Sequence, residues 1–373
     1  MKTFFIIVIS VYLLINAYVF LRGWQALPAG TVYRLIFSVS FVVLAFSFLL
    51  AMGGRNTLPL VPLKIIYTIG TTWLACMMYF LLLFLLTDII GLFNHWFHFL
   101  PDNITAHFRQ IQVCGAALVI LILLVSGFYK FTHPAINTYE IKIDKKAGDR
   151  KELRVVELSD IHLGMTIDKK KLREYVDEIN ALKPDIILVA GDVIDSSTRP
   201  LNEERMEEEI NMLEAPLGIY MCLGNHEYIS GIDSSLDFLK KTKIHLLVDS
   251  VVRVDNSFSI IGRNDKSQSN RKPLEYLVAQ TDKSEPIFLL DHQPYHLEDA
   301  EKNGVDFQLS GHTHNGQLWP GNYIVKYLYE VGSGYKRKGN LHVYVSSGLA
   351  LWGPVFRIGT ESEIAVFNIK FNE

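Results

Sequence analysis

The pattern of hydrophobic positions changes character near residue 130. Four apolar runs precede that point, over residues 4–21, 33–52, 65–86 and 111–128. Each has about the length that a helix needs to cross a bilayer core. Because hydrocarbon offers no partners to backbone polar groups, each run is predicted to be a helix. The pattern predicts a four-helix transmembrane region over 1–131, a linker and first strand over 132–150, and an α/β domain over 151–373.

The α/β domain is predicted from short apolar runs that alternate with amphipathic segments. Helices are expected over 169–182 and 203–213. Strands are expected over 153–158, 186–190, 218–222, 251–254, 258–261, 287–290, 307–309, 342–345 and 364–369. This order is typical of a sandwich with sheets in the middle. Loops at the carboxyl ends of strands face one crevice, so polar residues there are expected to converge.

Charge is distributed as unevenly as hydrophobicity. The chain has 36 Lys and Arg against 39 Asp and Glu, but only nine charged residues precede residue 131. This contrast excludes both a uniform soluble globule and a disordered chain. The remainder is more acidic than basic, so it lacks the surplus that nucleic acids attract and no nucleic-acid partner is expected.

Basic residues near the spans predict the orientation. An even number of spans places both termini on one side of the membrane. On that side lie seven basic residues: Lys2, Arg55, Lys64, Lys130, Lys142, Lys145 and Lys146. The opposite side has Arg22, Arg34 and Arg109. The positive-inside rule therefore predicts a multi-pass protein of the inner or plasma membrane with its α/β domain in the cytoplasm.

Polar motifs follow five of the predicted strands. They are Asp160-Ile161-His162, Gly191-Asp192, Gly224-Asn225-His226-Glu227, Asp291-His292 and Gly311-His312-Thr313-His314. Carboxylate, amide and imidazole donors without a thiolate suit Mn, Fe or Zn, and seven donors are too many for one tetrahedral ion. Two divalent ions are predicted, and a shared carboxylate could hold them about 3.5–4 Å apart. The glycines are expected to permit sharp turns that expose the next side chain.

These motifs resemble the signature of the calcineurin-like metallophosphoesterase superfamily over roughly residues 150–370. Gly311–His314 followed by Asn315-Gly316-Gln317 further resembles a membrane-anchored, bacterial-type branch. The resemblance implies an α/β/β/α sandwich around a dinuclear centre. One metal would take Asp160, His162, His314 and a bridging Asp192, and the second would take Asp192, Asn225, His292 and His312. Glu227 stands where the family often has Asp, which leaves the ligand set intact.

The expected reaction is hydrolysis of phosphate ester or diphosphate bonds by a hydroxide that bridges the metals. His226 would be catalytic rather than a ligand, stabilising charge or protonating the leaving oxygen; the alternative is an outer hydrogen bond to the site. Asp195 and Asp291 either orient ligands from outside or are solvated loop acids. Arg357 either contacts the substrate phosphate or is a surface arginine.

Four spans would confine the domain to the bilayer surface, so membrane lipids are expected partners and a lipid-linked phosphate the expected substrate. The alternatives are a phosphodiesterase for soluble substrates such as cyclic nucleotides, and a non-catalytic membrane receptor or scaffold. Residues 319–340, rich in tyrosine and lysine, form either a membrane-facing lid or two strands with a turn at Gly332–Gly334. The second interpretation is the one we favour.

Overall fold

The computed structural model describes residues 2–372, without the side chains of Lys2, Phe4 and Phe5. Met1 and Glu373, at the ends of the predicted domain ranges, lie outside the described residues. The chain forms two compact units. One comprises the residues up to Gly127 together with Gly353–Val355, and the other comprises Phe128–Trp352 and the residues from Phe356 onward.

The first unit is helical, and its four long helices confirm that the four predicted apolar runs are helices. The helices are α1 (Lys2–Ala26), α2 (Thr31–Gly54), α3 (Leu60–Phe97), the short α4 (Asp102–Ala106) and α5 (Phe108–Thr132). All but α4 are long and apolar enough to cross a membrane. Helix α3 has 38 residues, which is about 57 Å at 1.5 Å per residue. It exceeds the predicted 65–86 because an α-helix can continue beyond the hydrocarbon layer, where polar residues are tolerated.

Asp88, the carboxylate of α3, has its polar partners within the first unit. It accepts hydrogen bonds from Arg22 Nε at 2.8 Å and from the Tyr18 hydroxyl at 2.7 Å, and Gln112 Nε2 lies 3.0 Å away. Arg109 also pairs with it. Such pairing is what an acidic group in an apolar helix requires.

The second unit contains two six-stranded sheets. Their strands are β1 (Ala135–Ile143), β2 (Glu152–Leu158), β3 (Ile186–Val189), β4 (Ile219–Cys222), β5 (Ile244–Leu247), β6 (Ser250–Val254), β7 (Phe258–Gly262), β8 (Ile287–Leu290), β9 (Phe307–Ser310), β10 (Gly334–Lys338), β11 (Leu341–Val345) and β12 (Glu363–Phe371). The first sheet has the order β1-β12-β2-β3-β4-β5 and the second β10-β11-β9-β8-β7-β6. Strands β2, β3 and β4 are parallel neighbours, as are β7, β8, β9 and β11.

The hydrophobic core explains the sandwich. Side chains from both sheets, such as Val155 and Phe367 of one and Phe288 and Phe307 of the other, form a buried cluster between them. A separate cluster joins the other face of the second sheet to α11 and α12. The helices of this unit are α6 (Lys169–Ala181), α7 (Arg199–Glu204), α8 (Glu207–Ile210), α9 (Asn225–Ile229), α10 (Ile232–Leu239), α11 (Leu274–Val278), α12 (Leu297–Asn303) and α13 (Gly321–Leu328). The predicted α/β/β/α architecture is confirmed.

The sequence prediction of local structure was wrong or incomplete at several places, and the short helices α9 to α12 were not predicted. The helix expected over 203–213 is divided into α7 and α8, because Arg205 adopts a left-handed backbone conformation with φ of 55°. Strands β5 and β10 were not predicted, since neither shows the continuous apolar pattern of the central strands. Residues 319–340 are not two strands, because α13 precedes β10.

Gly70 of α3 packs directly against the backbone of α2 at Phe48, where an added Cβ would overlap it. Close approach of this kind stabilises helix pairs in membranes. We expect Gly70→Ala to lower the midpoint of thermal unfolding in detergent. Gly115→Ala in α5 is the matched control, because an added Cβ there meets nothing within 4 Å. Since alanine favours helix by about 1 kcal/mol over glycine, the control is expected to lose no stability. Equal behaviour of the two variants would contradict the packing role.

Candidate metal centre

The predicted polar side chains converge at one rim of the sandwich. Asp160 and His162 follow β2, Asp192 follows β3, and Asn225 starts helix α9 after β4. The remaining three, His292, His312 and His314, follow β8 and β9 of the other sheet. The carboxyl ends of parallel strands from both sheets therefore supply one site.

The first cluster contains Asp160, His162 and His314, all buried. The Nε2 atoms of the two imidazoles lie 3.0 Å apart. Asp160 Oδ1 is 3.2 Å from His314 Nε2 and 3.6 Å from His162 Nε2. That carboxylate oxygen is buried without a hydrogen-bond partner among the described residues. Three donor atoms pointing at one small volume, one of them unsatisfied, suit a cation.

The second cluster contains Asp192, His292 and His312, with the amide of Asn225. His292 Nε2 lies 3.1 Å from Asp192 Oδ2 and 3.2 Å from Asn225 Oδ1. His312 Nδ1 lies 2.8 Å from the same amide oxygen. His292 Nδ1 donates to the Ala190 carbonyl at 2.7 Å, which leaves its Nε2 available as a ligand.

Asp192 lies between the two clusters. Its Oδ2 is 3.1 Å from His292 Nε2 in one and 4.0 Å from His162 Nε2 in the other. Its Oδ1 accepts from the His226 backbone N–H at 2.8 Å. This position is the one that a carboxylate shared between two ions would occupy.

The backbone at the site is held in an unusual conformation. Five of the seven predicted ligands have positive φ: Asp160, His162, Asp192, His312 and His314. Left-handed conformations of residues other than glycine are costly and persist only where surrounding contacts enforce them. The loops thus turn each donor inward at the expense of local backbone energy.

Glycines at the site act in two different ways. Gly191 has a φ of 86°, as the predicted sharp turn requires. Gly224 and Gly311 do not have positive φ. Glycine is required there because neighbouring atoms leave no room for a side chain. An added Cβ at Gly224 would overlap Asp192, and one at Gly311 would overlap Ser159 and Asp160.

Glu227 binds the loops of the first sheet together, a role that the motif alone did not reveal. Its buried carboxylate accepts the backbone N–H groups of Asp192 at 3.1 Å, Ile194 at 3.0 Å and Gly224 at 2.8 Å. Burial, and then the charge of Asp192, raise its pKa. The capping-box position, three residues after Gly224, was the available sequence signal.

His226 lies beside the first cluster but outside it. Its Nδ1 donates to the Asp195 carbonyl at 3.0 Å and lies 3.3 Å from Asp195 Oδ1. The Asp195 carboxylate is also 3.7 Å from His162 Nδ1, so it contacts a predicted ligand and the predicted catalytic histidine together. Burial opposes the charged form of His226, but the hydrogen bond to Asp195 and the charges of Asp192 and Asp195 together outweigh it and raise the pKa.

Two predicted residues have contacts other than those expected. Arg357 is fully buried and donates to the carbonyls of His314 at 3.0 Å and Gly348 at 3.1 Å, and to that of Ala350. The predicted contact of Arg357 with the substrate is therefore wrong. Its N–H groups are used by backbone carbonyls of the loops that carry the ligands. Asp291 is incorrect as an orienting group, since its carboxylate pairs with Arg263 and Arg271.

The electrostatics of the site favour positive charge. Burial opposes protonation of His162 and His292, yet the neighbouring aspartates outweigh it and raise both pKa values to about 10. Burial lowers the pKa of His312 and of His314 to about 4. Each cluster thus attracts a cation, and a metal ion would replace the proton because a ligand imidazole must be neutral. The residues fit divalent metal ions.

Comparison with known proteins assigns this sandwich and its carboxylate–imidazole site to the metal-dependent phosphoric ester hydrolases. The family model for calcineurin-like phosphoesterases matches residues 153–316. An uncharacterized metallophosphoesterase of Campylobacter jejuni is 33% identical over 268 residues, covering 68% of this chain and 69% of the relative. The chain belongs to the metallophosphoesterase family.

Relatives with membrane segments are also similar. A transmembrane protein with metallophosphoesterase domain from Danio rerio is 30% identical, over 70% of this chain and 63% of that protein. Among solved structures, the NAD nucleotidase of Haemophilus influenzae matches with 16% identity and a TM-score of 0.37. That match covers 53% of this chain and 45% of the nucleotidase.

We expect Glu227→Ala to lower the free energy of unfolding by about 3 kcal/mol, because three backbone donors would lose a charged acceptor. Metal content per chain should fall as well, since Asp192 and the Gly224 loop would no longer be held. Elemental analysis and thermal unfolding of the purified protein test both effects. Glu209→Ala is the matched control, a buried glutamate of α8 that pairs with Arg173. It should lose stability but keep its metal, and equal metal loss in both variants would contradict the positioning role.

Proposed function

We propose that this chain is a membrane-anchored phosphoesterase with two divalent metal ions, and that it hydrolyses phosphate ester or diphosphate bonds of a lipid-linked substrate. The observation that carries the proposal is the pair of carboxylate–imidazole clusters with Asp192 between them. Family membership supports the reaction class. The four apolar helices support the anchoring.

The two ions would be held by the two clusters. Asp160, His162 and His314 would hold one ion, Asn225, His292 and His312 would hold the other, and Asp192 would serve both. The donors are oxygen and imidazole nitrogen, which is compatible with Mn, Fe or Zn. Divalent ions bound there would lower the pKa of water and neutralise phosphate charge.

His226 is the proposed acid of the reaction. The Nδ1–H of His226 donates a hydrogen bond to the Asp195 carbonyl, which orients the ring. The nearby Asp195 carboxylate favours the cationic form of the imidazole. A cationic imidazole at the edge of the first cluster would stabilise the phosphoryl oxygens and donate a proton to the leaving oxygen. Asp195 is the proposed positioning residue for this ring.

The lipid-linked character of the substrate is proposed from the anchor. Helix α5 ends at Thr132 and β1 begins at Ala135, so the peptide chain passes from the last apolar helix to the hydrolase sheet within a few residues. Phosphate groups of lipids are the substrates concentrated at such a surface. We further propose that the domain faces the cytoplasm, in accord with the excess of basic residues on that side.

We expect Asp192→Asn to abolish both metal binding and hydrolysis of bis(p-nitrophenyl) phosphate, because both clusters lose their common carboxylate. His226→Gln should retain metal and slow turnover about 10²–10⁴-fold. His296→Gln, a change at an exposed histidine, is the control and should match the unaltered protein. Metal analysis and steady-state rates distinguish these outcomes, and full turnover by either site variant would refute its assigned role.

We expect the purified, Mn- or Zn-loaded full chain to release phosphate from vesicles that contain phosphatidate or a lipid-linked diphosphate. The same preparation should be slower on a soluble cyclic nucleotide, because only the vesicle substrate is concentrated at the anchor. The Asp192→Asn protein controls for contaminating hydrolases. Turnover of the cyclic nucleotide alone would favour a soluble-substrate phosphodiesterase, and no turnover of any substrate by metal-loaded protein would favour a binding role.

A further inference from the structure

Helix α13 is tied to the ligand loop of the second sheet at its amino end and through the segment that follows it. The backbones of Gly316 and Gly321 are in close contact, so that a Cβ on either would collide with the other. Beyond the helix, Thr313 Oγ1 donates to the Gly332 carbonyl at 2.6 Å. Thr313 lies between the predicted ligands His312 and His314. The position of α13 is therefore coupled to the position of those imidazoles.

The outward surface of α13 is apolar and uncovered. It carries Tyr323, Ile324, Tyr327 and Leu328, whose exposed fractions range from 59 to 89%. These residues recur at spacings of three and four, which places them on one side of the helix. Only Val325 is buried among the described residues of α13. Of the eleven exposed large apolar side chains described from residue 133 onward, four lie on these eight residues.

The composition of this surface matches a bilayer interface. Tyrosine rings combined with isoleucine and leucine bury an apolar body and keep a polar tip in water, as interfacial helices do. The single charged residue of α13 is Lys326, and the helix has no acidic residue. Such a helix is attracted to anionic headgroups rather than repelled by them.

The membrane tether, which is the end of α5 and the residues up to Ala135, enters the hydrolase unit at the rim that holds the predicted metal ligands. Ala135 pairs with Glu363 at the start of β12, and Ala365 pairs with Glu157 at the end of β2, next to Asp160. Lys171 Nζ donates to the Thr132 carbonyl at 3.1 Å, and Lys171 belongs to α6, which follows the Asp160 loop. The end of α5 and the metal cluster thus lie at one end of the sandwich, the end from which α13 also projects.

An aromatic and cationic path leads from α13 to the site. Tyr329, directly after the helix, accepts a hydrogen bond from the Tyr295 hydroxyl at 2.9 Å. Its ring centroid is 6.5 Å from that of His312. The ammonium group of Lys266 lies 3.4 Å from the centre of the Tyr295 ring. Lys266 thus places a cation two aromatic rings away from His312.

We propose that α13 lies in the headgroup layer of the membrane that anchors the chain, and that a lipid phosphate reaches His312 past Tyr329, Tyr295 and Lys266. The docking of α13 stands on its own observations, whereas the delivery of substrate rests on the proposed lipid-phosphate activity. The occupant of the exposed surface is the bilayer, because the tether brings a bilayer to this rim.

The docking is tested with an environment-sensitive fluorophore on Tyr327→Cys in the full chain, reconstituted in vesicles of phosphatidylethanolamine and phosphatidylglycerol. The exposed membrane-helix thiol is removed by Cys114→Ser, and Cys76→Ser removes the second. Met212→Cys is the matched position, because Met212 is exposed in the turn before the amino end of β4, at the opposite rim. We expect a blue-shifted emission, quenched by lipid-borne quenchers, at position 327 alone. Equal emission at both positions would overturn the docking, as would a blue shift that lipid quenchers leave unchanged, which would indicate a second copy.

Delivery is tested with the double variant Ile324→Ser and Tyr327→Ser. Loss of two apolar anchors should slow hydrolysis of phosphatidate in vesicles about tenfold or more and leave hydrolysis of soluble bis(p-nitrophenyl) phosphate unchanged. Met212→Ser should alter neither rate. If the unaltered protein hydrolyses phosphatidate and the double variant does so equally well, delivery through α13 is wrong while the proposed function survives. If the unaltered protein acts only on the soluble ester, the lipid-phosphate function fails whatever the fluorophore reports.

Discussion

Buried negative charge is the constraint on which the hydrolase unit depends. Asp160, Asp192 and Asp195 are buried at one rim, and an interior cannot hold such carboxylates without compensating charge. Imidazoles from the opposite sheet provide part of it, since His292 pairs with Asp192 and His314 with Asp160. The two sheets are therefore joined at this rim by electrostatics as well as by the apolar core below it, and divalent ions would complete the compensation.

The loops that carry these charges are held from behind. The Glu227 carboxylate accepts hydrogen bonds from three backbone N–H groups in the loops of the first sheet. The Arg357 guanidinium donates hydrogen bonds to backbone carbonyls around the His314 loop. One is an anion on N–H groups and the other a cation on C=O groups, so each satisfies backbone that has left its strand. This support explains how the ligand residues Asp192 and His314, which these two side chains hold, remain at positive φ. The donors are thus positioned in advance of any ion.

The tether, the site and the exposed surface of α13 share one end of the sandwich. In the first sheet, β1 runs parallel to β12, and β12 runs antiparallel to β2. That topology brings the residues directly after the last apolar helix to the carboxyl end of β2, where Asp160 begins the site. Strand order therefore relates the end of α5 to the metal-binding loops.

The sequence alone determined the elements whose signals are local. The length of the apolar runs specified the four long helices of the first unit, and shorter continuous apolar runs specified the central strands. The rare motifs that directly follow those strands specified the donors that the structure brings together. Tertiary structure alone decided what Arg357 and Asp291 contact, that Glu227 binds two loops, and that residues 321–328 form an exposed helix. The physical reason is that a motif encodes which groups a loop offers. Whether a charged side chain meets water, a backbone carbonyl or an opposite charge depends on neighbours that are distant along the chain.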